Sequence, residues 1–268
     1  MLIDFHAHLY EDAGYGEALA ETARNLGIDR LCICGGEGRY GLAANAEVRR
    51  QADAYPEMFL PFAHVDPGED GPATVERLRR AGFVGLCAWG PSAPYDAEEY
   101  FPFYEAAEAL RMPLLLHTCV LPPTPLDRSR RMRTMNAHPM HLDTLARCFP
   151  NLSIVGVGLG GPWYEEAVEV LRHHGNVHFD LSGDLLRRKG AEFVGDLLRP
   201  PQAALWEQNA ADDLWGRIIF GTGVRHDEIA SVERDHQRVF RSLALAPECI
   251  DSVMGGTAAR LLGLSAES

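Results

Sequence analysis

Three features of this 268-residue chain predict an α/β fold closed into a single (β/α)8, or TIM, barrel. Short apolar runs alternate with amphipathic stretches from one end to the other, and eight such pairs can be counted. No Ser/Gly-rich linker, low-complexity run or internal repeat divides them. The length suits one barrel domain, residues 1–268, finished by a C-terminal helix.

Taken in order, the first strand is expected at 1–5, where Leu2, Ile3 and Phe5 favour a strand and the run is too short for a helical period. A helix over 14–26 leads through "NLGIDRLCIC" to a strand at 29–34. The helix 41–54 leads to a strand at 58–65, and the helix 70–80 passes through "RAGFVGLC" to a strand at 82–88. The helix 97–111 is stopped at "RMPLLLH", which opens the fifth strand at 113–117. The helix 138–148 precedes a strand at 152–157, and the helix 162–173 reaches a strand at 176–181 through "HHGNVHFD". The helix 191–212 leads to the eighth strand at 216–221, and helices at 228–243 and 255–263 close the chain.

One connection is long. "TCVLPPTPLDRSRRMRTMNAHP", residues 118–139, carries four prolines that rule out a regular helix through most of it. A loop of this length after a barrel strand is expected to be an active-site lid. Arg128, Arg130, Arg131 and Arg133 within it form either a solvated basic loop or a clamp for an anionic substrate.

Hydrophobic residues make up 46% of the chain and charged ones 24%, as in a folded enzyme with a sizeable core. The net charge of −13 argues against a nucleic-acid partner. Six cysteines lie among apolar neighbours without a secretory leader, so they read as reduced, mostly buried thiols of a cytoplasmic protein. Cys32-x-Cys34 has no second pair to complete a metal site. No apolar run reaches membrane-spanning length. The expected partner is a small-molecule substrate, with neither membrane nor nucleic acid, and a homodimer is compatible with these features.

The chemistry starts at "IDFHAH". Strand alternation sends His6 and His8 to one side with Asp4 behind them, which is either half of a metal site or a pair of polar strand-end histidines. Barrel enzymes draw catalytic residues from the C-terminal strand ends, and His117 ends the fifth strand, opposite the first. His6, His8 and His117 can therefore converge on one divalent metal ion, with zinc expected and manganese or another divalent ion as alternatives. His64 in "FAHVDP" and Trp89 after strand four are candidates to face the substrate. His173 and His174 suit a helix C-terminus, and His138, His141 and His236 read as ordinary helix residues.

"IDFHAH", "LLLHT", "NVHFDLSG", "IIFGTG" and "GGTAARLLGL", in this order on these elements, resemble the amidohydrolase-related proteins of the amidohydrolase superfamily. The resemblance covers essentially the whole chain and implies a metal-dependent barrel hydrolase or decarboxylase. It implies His6, His8 and His117 as ligands, with an aspartate ending strand eight and a strand-six histidine as acid, base or electrophile. Two positions depart from that pattern: Gly158 stands for the histidine and Gly223 for the aspartate. Strand four has no lysine, so a dinuclear site is not expected. Gly158 is expected to leave open volume where an imidazole would sit. Asp180, Asp227 or His226 would then be the replacement proton carrier.

The expected function is hydrolysis of a C–N or C–O bond in a small anionic molecule, or its decarboxylation, at an incomplete mononuclear site. One alternative is a catalytically silent homologue that binds a ligand or partner. Another is a nicotinamide dinucleotide site, since Gly156, Gly158 and Gly161 spell G-x-G-x-x-G after a strand, with Asp180 about 20 residues on.

Overall fold

The computed structural model describes residues 1–125, 127–130, 132–199 and 214–264, with the backbone alone at 129 and 130. Eight strands pair in parallel, each with the next: β1 (Ile3–His8), β2 (Arg30–Cys34), β3 (Phe59–His64), β4 (Gly85–Ala88), β5 (Leu114–Leu116), β6 (Ile154–Gly156), β7 (Val177–Asp180) and β8 (Ile218–Ile219). The ring closes where β1 meets the chain after β8. There Phe5 N–H donates to the Phe220 carbonyl (2.9 Å) and Gly223 N–H to the His6 carbonyl (2.7 Å).

The helices between strands are α1 (Tyr15–Leu26), α2 (Asn45–Ala54), α3 (Pro72–Arg80), α4 (Phe101–Ala109), α5 (Asp127–Arg130), α6 (His141–Cys148), α7 (Tyr164–His173) and α8 (Leu185–Leu198). After β8 come α9 (Ile229–Ser242), α10 (Pro247–Asp251) and α11 (Thr257–Leu262). Two apolar layers hold the two rings together. Ile3, Phe5, Cys32, Phe62, Leu115, Val155 and Ile219 pack inside the barrel. Leu31, Ile33, Leu86, Leu114, Ile154, Phe179 and Ile218 lie in the layer under the helices. Burial on both faces explains why the strands read as continuous apolar runs.

β1 breaks the expected alternation. Asp4 pairs with Leu31 but Ala7 with Ile33, so β1 carries one extra residue between them. Such a bulge re-aims the side chains that follow it. Phe5 packs in the inner layer, edge-on to Phe62 at 5.2 Å, and yet the next residue, His6, also reaches the barrel mouth. Asp4 is therefore not ranked behind the histidines. Its carboxylate accepts from Thr222 Oγ1 (2.6 Å), Thr222 N–H (3.0 Å) and His6 N–H (3.0 Å), stitching the closing seam.

Other boundaries shift as well. α8 starts at Leu185, ahead of the expected 191, and is interrupted at Gly190 (φ 79°); the expected continuation over 200–212 lies outside the described residues. Three of the six cysteines, Cys32, Cys34 and Cys87, are buried, whereas Cys148 is exposed. Among the described residues no helix is long and apolar enough to cross a membrane.

Candidate active site at the barrel mouth

At the C-terminal ends of the strands lies a cavity of about 420 Å³. His6 and His8 enter it from β1 and His117 from the residue after β5. The loops after β5 and β7 contribute Cys119, Ser182 and Asp184, the first residue of α7 contributes Tyr164 and the first turn of α8 contributes Arg188. Gly158 and Gly223 form part of its wall.

His6 is fixed from behind. Its Nδ1 lies 2.8 Å from Asp180 Oδ2, and Asp180, fully buried at the end of β7, also accepts from Gly158 N–H (2.6 Å) and Ser182 N–H (3.1 Å). Burial alone would raise the Asp180 carboxyl and depress the His6 imidazole. Their mutual attraction, with the amide donors, reverses both directions: His6 titrates above its ordinary range and Asp180 below it. His8 stands edge-on to His6 at 4.7 Å between ring centroids. Burial, followed by the charges of His6 and His117, holds His8 far below the ordinary imidazole range. Burial and His6 bring His117 down to about 4.

These are features of a metal-ligating set in part. Their depressed pKa values favour the neutral form of His8 and His117, the form that ligates, and His8 Nδ1 is buried with no hydrogen-bond partner. The carboxylate behind His6 orients that ring, as such partners do behind ligating histidines. Among the described residues, however, no group of three His, Cys, Asp or Glu side chains is placed to hold a metal ion.

The remaining sequence candidates fall elsewhere. Asp180 does not line the cavity, and its oxygens are taken up by His6 and two amides. His226 packs on the Tyr15 ring at 5.1 Å and Asp227 is exposed just before α9; neither lines the cavity. Trp89, buried, meets the His8 ring edge-on at 5.9 Å and the His64 ring at a tilt at 4.8 Å, and neither Trp89 nor His64 lines the cavity. Trp89 Nε1 and His64 Nε2 are also buried without partners. Of the arginines expected to clamp an anion, Arg128 and Arg133 are exposed and line no part of the cavity. Arg131 and the side chain of Arg130 lie outside the described residues. Only Cys119 and Val120 of the described residues of this segment line the cavity, and hydrogen bonds tie the segment to neighbouring loops. Tyr40 Oη donates to the Pro122 carbonyl (3.1 Å), Val120 N–H to the Gly161 carbonyl (3.2 Å) and Asn136 Nδ2 to the Pro91 carbonyl (3.1 Å).

The glycines behave differently from expectation. A Cβ on Gly158 would lie 2.6 Å from Cys119 Sγ, so the thiol already fills the space reserved for an imidazole. That thiol donates to the Val157 carbonyl at 3.0 Å, and burial, aided by Asp180, pushes its pKa to about 12. The glycine fingerprint also fails as a dinucleotide motif. Gly156 packs under Phe179, and the Gly158 amide is spent on Asp180 instead of a pyrophosphate. The strand order β1 to β8 has no reversal at which a dinucleotide would sit.

Cys119, Tyr164, Ser182 and Arg188 were not singled out from the sequence. The one signal for them is general, namely that each follows a strand on the catalytic side.

A family model described as amidohydrolase matches residues 38–264, a span that begins beyond His6 and His8. Among solved structures, an uncharacterised TIM-barrel protein from Bordetella bronchiseptica superposes with a TM-score of 0.74 at 19% identity, covering 98% of each chain. A 5-carboxyvanillate decarboxylase from Sphingomonas paucimobilis gives 0.63 at 16% identity, covering 98% of this chain and 99% of the other. A probable 2-pyrone-4,6-dicarboxylic acid hydrolase from Acinetobacter baumannii gives 0.60 at 16%, with 98% and 99% covered. At these identities the likeness is one of fold. No curated protein matches the chain.

Proposed function

The chain belongs to the amidohydrolase family, and on that premise we propose that it is a metal-dependent hydrolase of a small anionic molecule. Members of the family are in general metal-dependent. The observation that carries the reading is the meeting of His6, His8 and His117, from opposite sides of the barrel, in one cavity. We assign these three as ligands of one divalent ion, zinc before manganese. Held there, the ion would supply Lewis-acid activation of the scissile group and of water.

The protein's own contribution is orientation. Asp180 ties up Nδ1 of His6 and leaves Nε2 as its donor, while Trp89 packs edge-on against His8. Asp184 is the one carboxylate among the described lining residues, so proton transfer is assigned to it in place of Asp180, Asp227 or His226. An anionic substrate is supported by the two named relatives, whose substrates carry carboxylates by name. Decarboxylation, the reaction of one of them, is the neighbouring possibility.

Among the described residues no ligand group is preformed, and this favours a second reading, a family homologue that binds without turnover. Elemental analysis decides between them. The wild type should take up about one zinc per chain, as a three-histidine site allows, and His6→Ala with His8→Ala should take up none. A wild type that stays metal-free after zinc or manganese loading overturns the hydrolase reading.

A further inference from the structure

We propose that Arg188, with Tyr164, which lines the same cavity, receives the carboxylate of the substrate at the rim of that cavity. The proposal rests on reading that cavity as the substrate site. At a net charge of −13 the chain repels anions at long range, so an anionic substrate needs a local cation where it binds. Among the described lining residues Arg188 is the one with a permanently cationic side chain. Of the arginines that the sequence offered for this role, Arg128 and Arg133 are exposed and line no part of the cavity, and Arg131 and the side chain of Arg130 lie outside the described residues.

Arg188 is also uncommitted. Its ion pair is with Asp184, one turn back, at 3.7 Å, and the two side chains are 67% and 62% exposed. So loose a pair contributes little and leaves most of the five guanidinium donors for a ligand. The adjacent cation is engaged elsewhere: Lys189 Nζ sits over the rings of Tyr164 (5.4 Å) and Phe193 (4.9 Å). That contact steadies Tyr164, whose hydroxyl lies over Gly161, where a Cβ would come within 2.9 Å of it. The break at Gly190 ends the first helical stretch just after this pair, so Arg188 sits on a short turn that opens on the cavity. The histidines then face the reacting end of the substrate while Arg188 and Tyr164 hold its carboxylate.

The test is calorimetric titration with glutarate and, as its neutral counterpart, dimethyl glutarate, alongside zinc analysis of the same samples. The wild type should bind glutarate. Arg188→Gln should weaken glutarate binding about fivefold or more, as loss of a charge-assisted contact near solvent implies, and leave the dimethyl ester unchanged. Arg188→Lys should recover part of the loss. Circular dichroism checks that each variant is folded. No glutarate binding by the wild type, an unchanged affinity in Arg188→Gln, or equal weakening of both probes overturns the proposal. Normal zinc uptake with Arg188-independent binding would strike the proposal alone. Arg188-dependent binding without zinc uptake would support the proposal and strike the hydrolase reading alone.

Discussion

A side chain at position 158 has two obstacles to overcome. Gly158 has φ +61°, a conformation costly for any residue with a Cβ, and the Cys119 thiol occupies the direction that Cβ would take. Gly223 has the same φ, and a Cβ there would approach His6 Cε1 to 3.1 Å and Ser182 Cβ to 3.2 Å. Placing at these positions the histidine and aspartate that the sequence resemblance implies therefore requires the backbone to move as well. Gly158→Ala should lower unfolding free energy by about 1–3 kcal/mol. Adding Cys119→Ala should return the steric part of that loss but not the backbone part. Urea unfolding of the two single variants and the double variant separates these contributions, and a Gly158→Ala protein as stable as the wild type would contradict the account. The sequence displays the glycines but not the sign of their φ, so what reads as vacant space is a left-handed glycine turn packed by a thiol.

Among the elements, α6 and α7 are joined by one carboxylate. Asp143 accepts from Arg147, a turn further along α6 (2.9 Å), and lies 2.6 Å from His174 Nε2 at the end of α7. The Arg147 hydrogen bond, outweighing partial burial and helped by His174, draws the Asp143 pKa from 3.8 to about 2. A depressed carboxyl stabilises the fold above its ordinary pKa, and that stabilisation drains away as pH falls towards the depressed value. Asp143→Asn should therefore cost about 0.5–1 kcal/mol at pH 7, the range for a partly exposed pair. In urea titrations the gap to wild type should hold down to about pH 4 and close below it. A gap that stays undiminished at pH 2 would mean packing, not charge, is responsible. At this scale the alternation of strands and helices was legible, because proline and glycine punctuate joints such as "RMPLLLH" and "HHGNVHFD". The bulge in β1 was not, since Asp4, His6 and His8 keep a perfect period of two in the sequence. Gly190 reads as a helix boundary, and the turn before it, which carries Arg188, has no pattern of its own.

For the whole molecule, the barrel follows from repetition: eight units of one kind leave few other arrangements, and strands one and five then face each other with their histidines. Which residues of the loops and first helical turns face inward is settled by packing among them, and Cys119, Tyr164 and Arg188 could not be chosen from their neighbours in sequence. Closure depends on Asp4. Asp4→Ala leaves the buried amides of His6 and Thr222 and the Thr222 hydroxyl without their acceptor, at a cost of about 2–4 kcal/mol. Thermal unfolding should register that loss, and amide exchange at Thr222 should accelerate more than at Leu115 on the far side of the ring. Equal acceleration at both would show that the seam is not the weak join.

The seam also sets a schedule. His6 is made before its partners: its carbonyl waits for the amide of Gly223 and its ring for Asp180, 174 residues later. The mouth cavity is thus among the last parts of the molecule to exist, and a chain interrupted before residue 220 carries His6, His8 and His117 without the frame that gathers them. Any ligand held there would grip both ends of the barrel at once. Its binding energy would accordingly protect the entire chain from unfolding and proteolysis, well beyond the loops it touches.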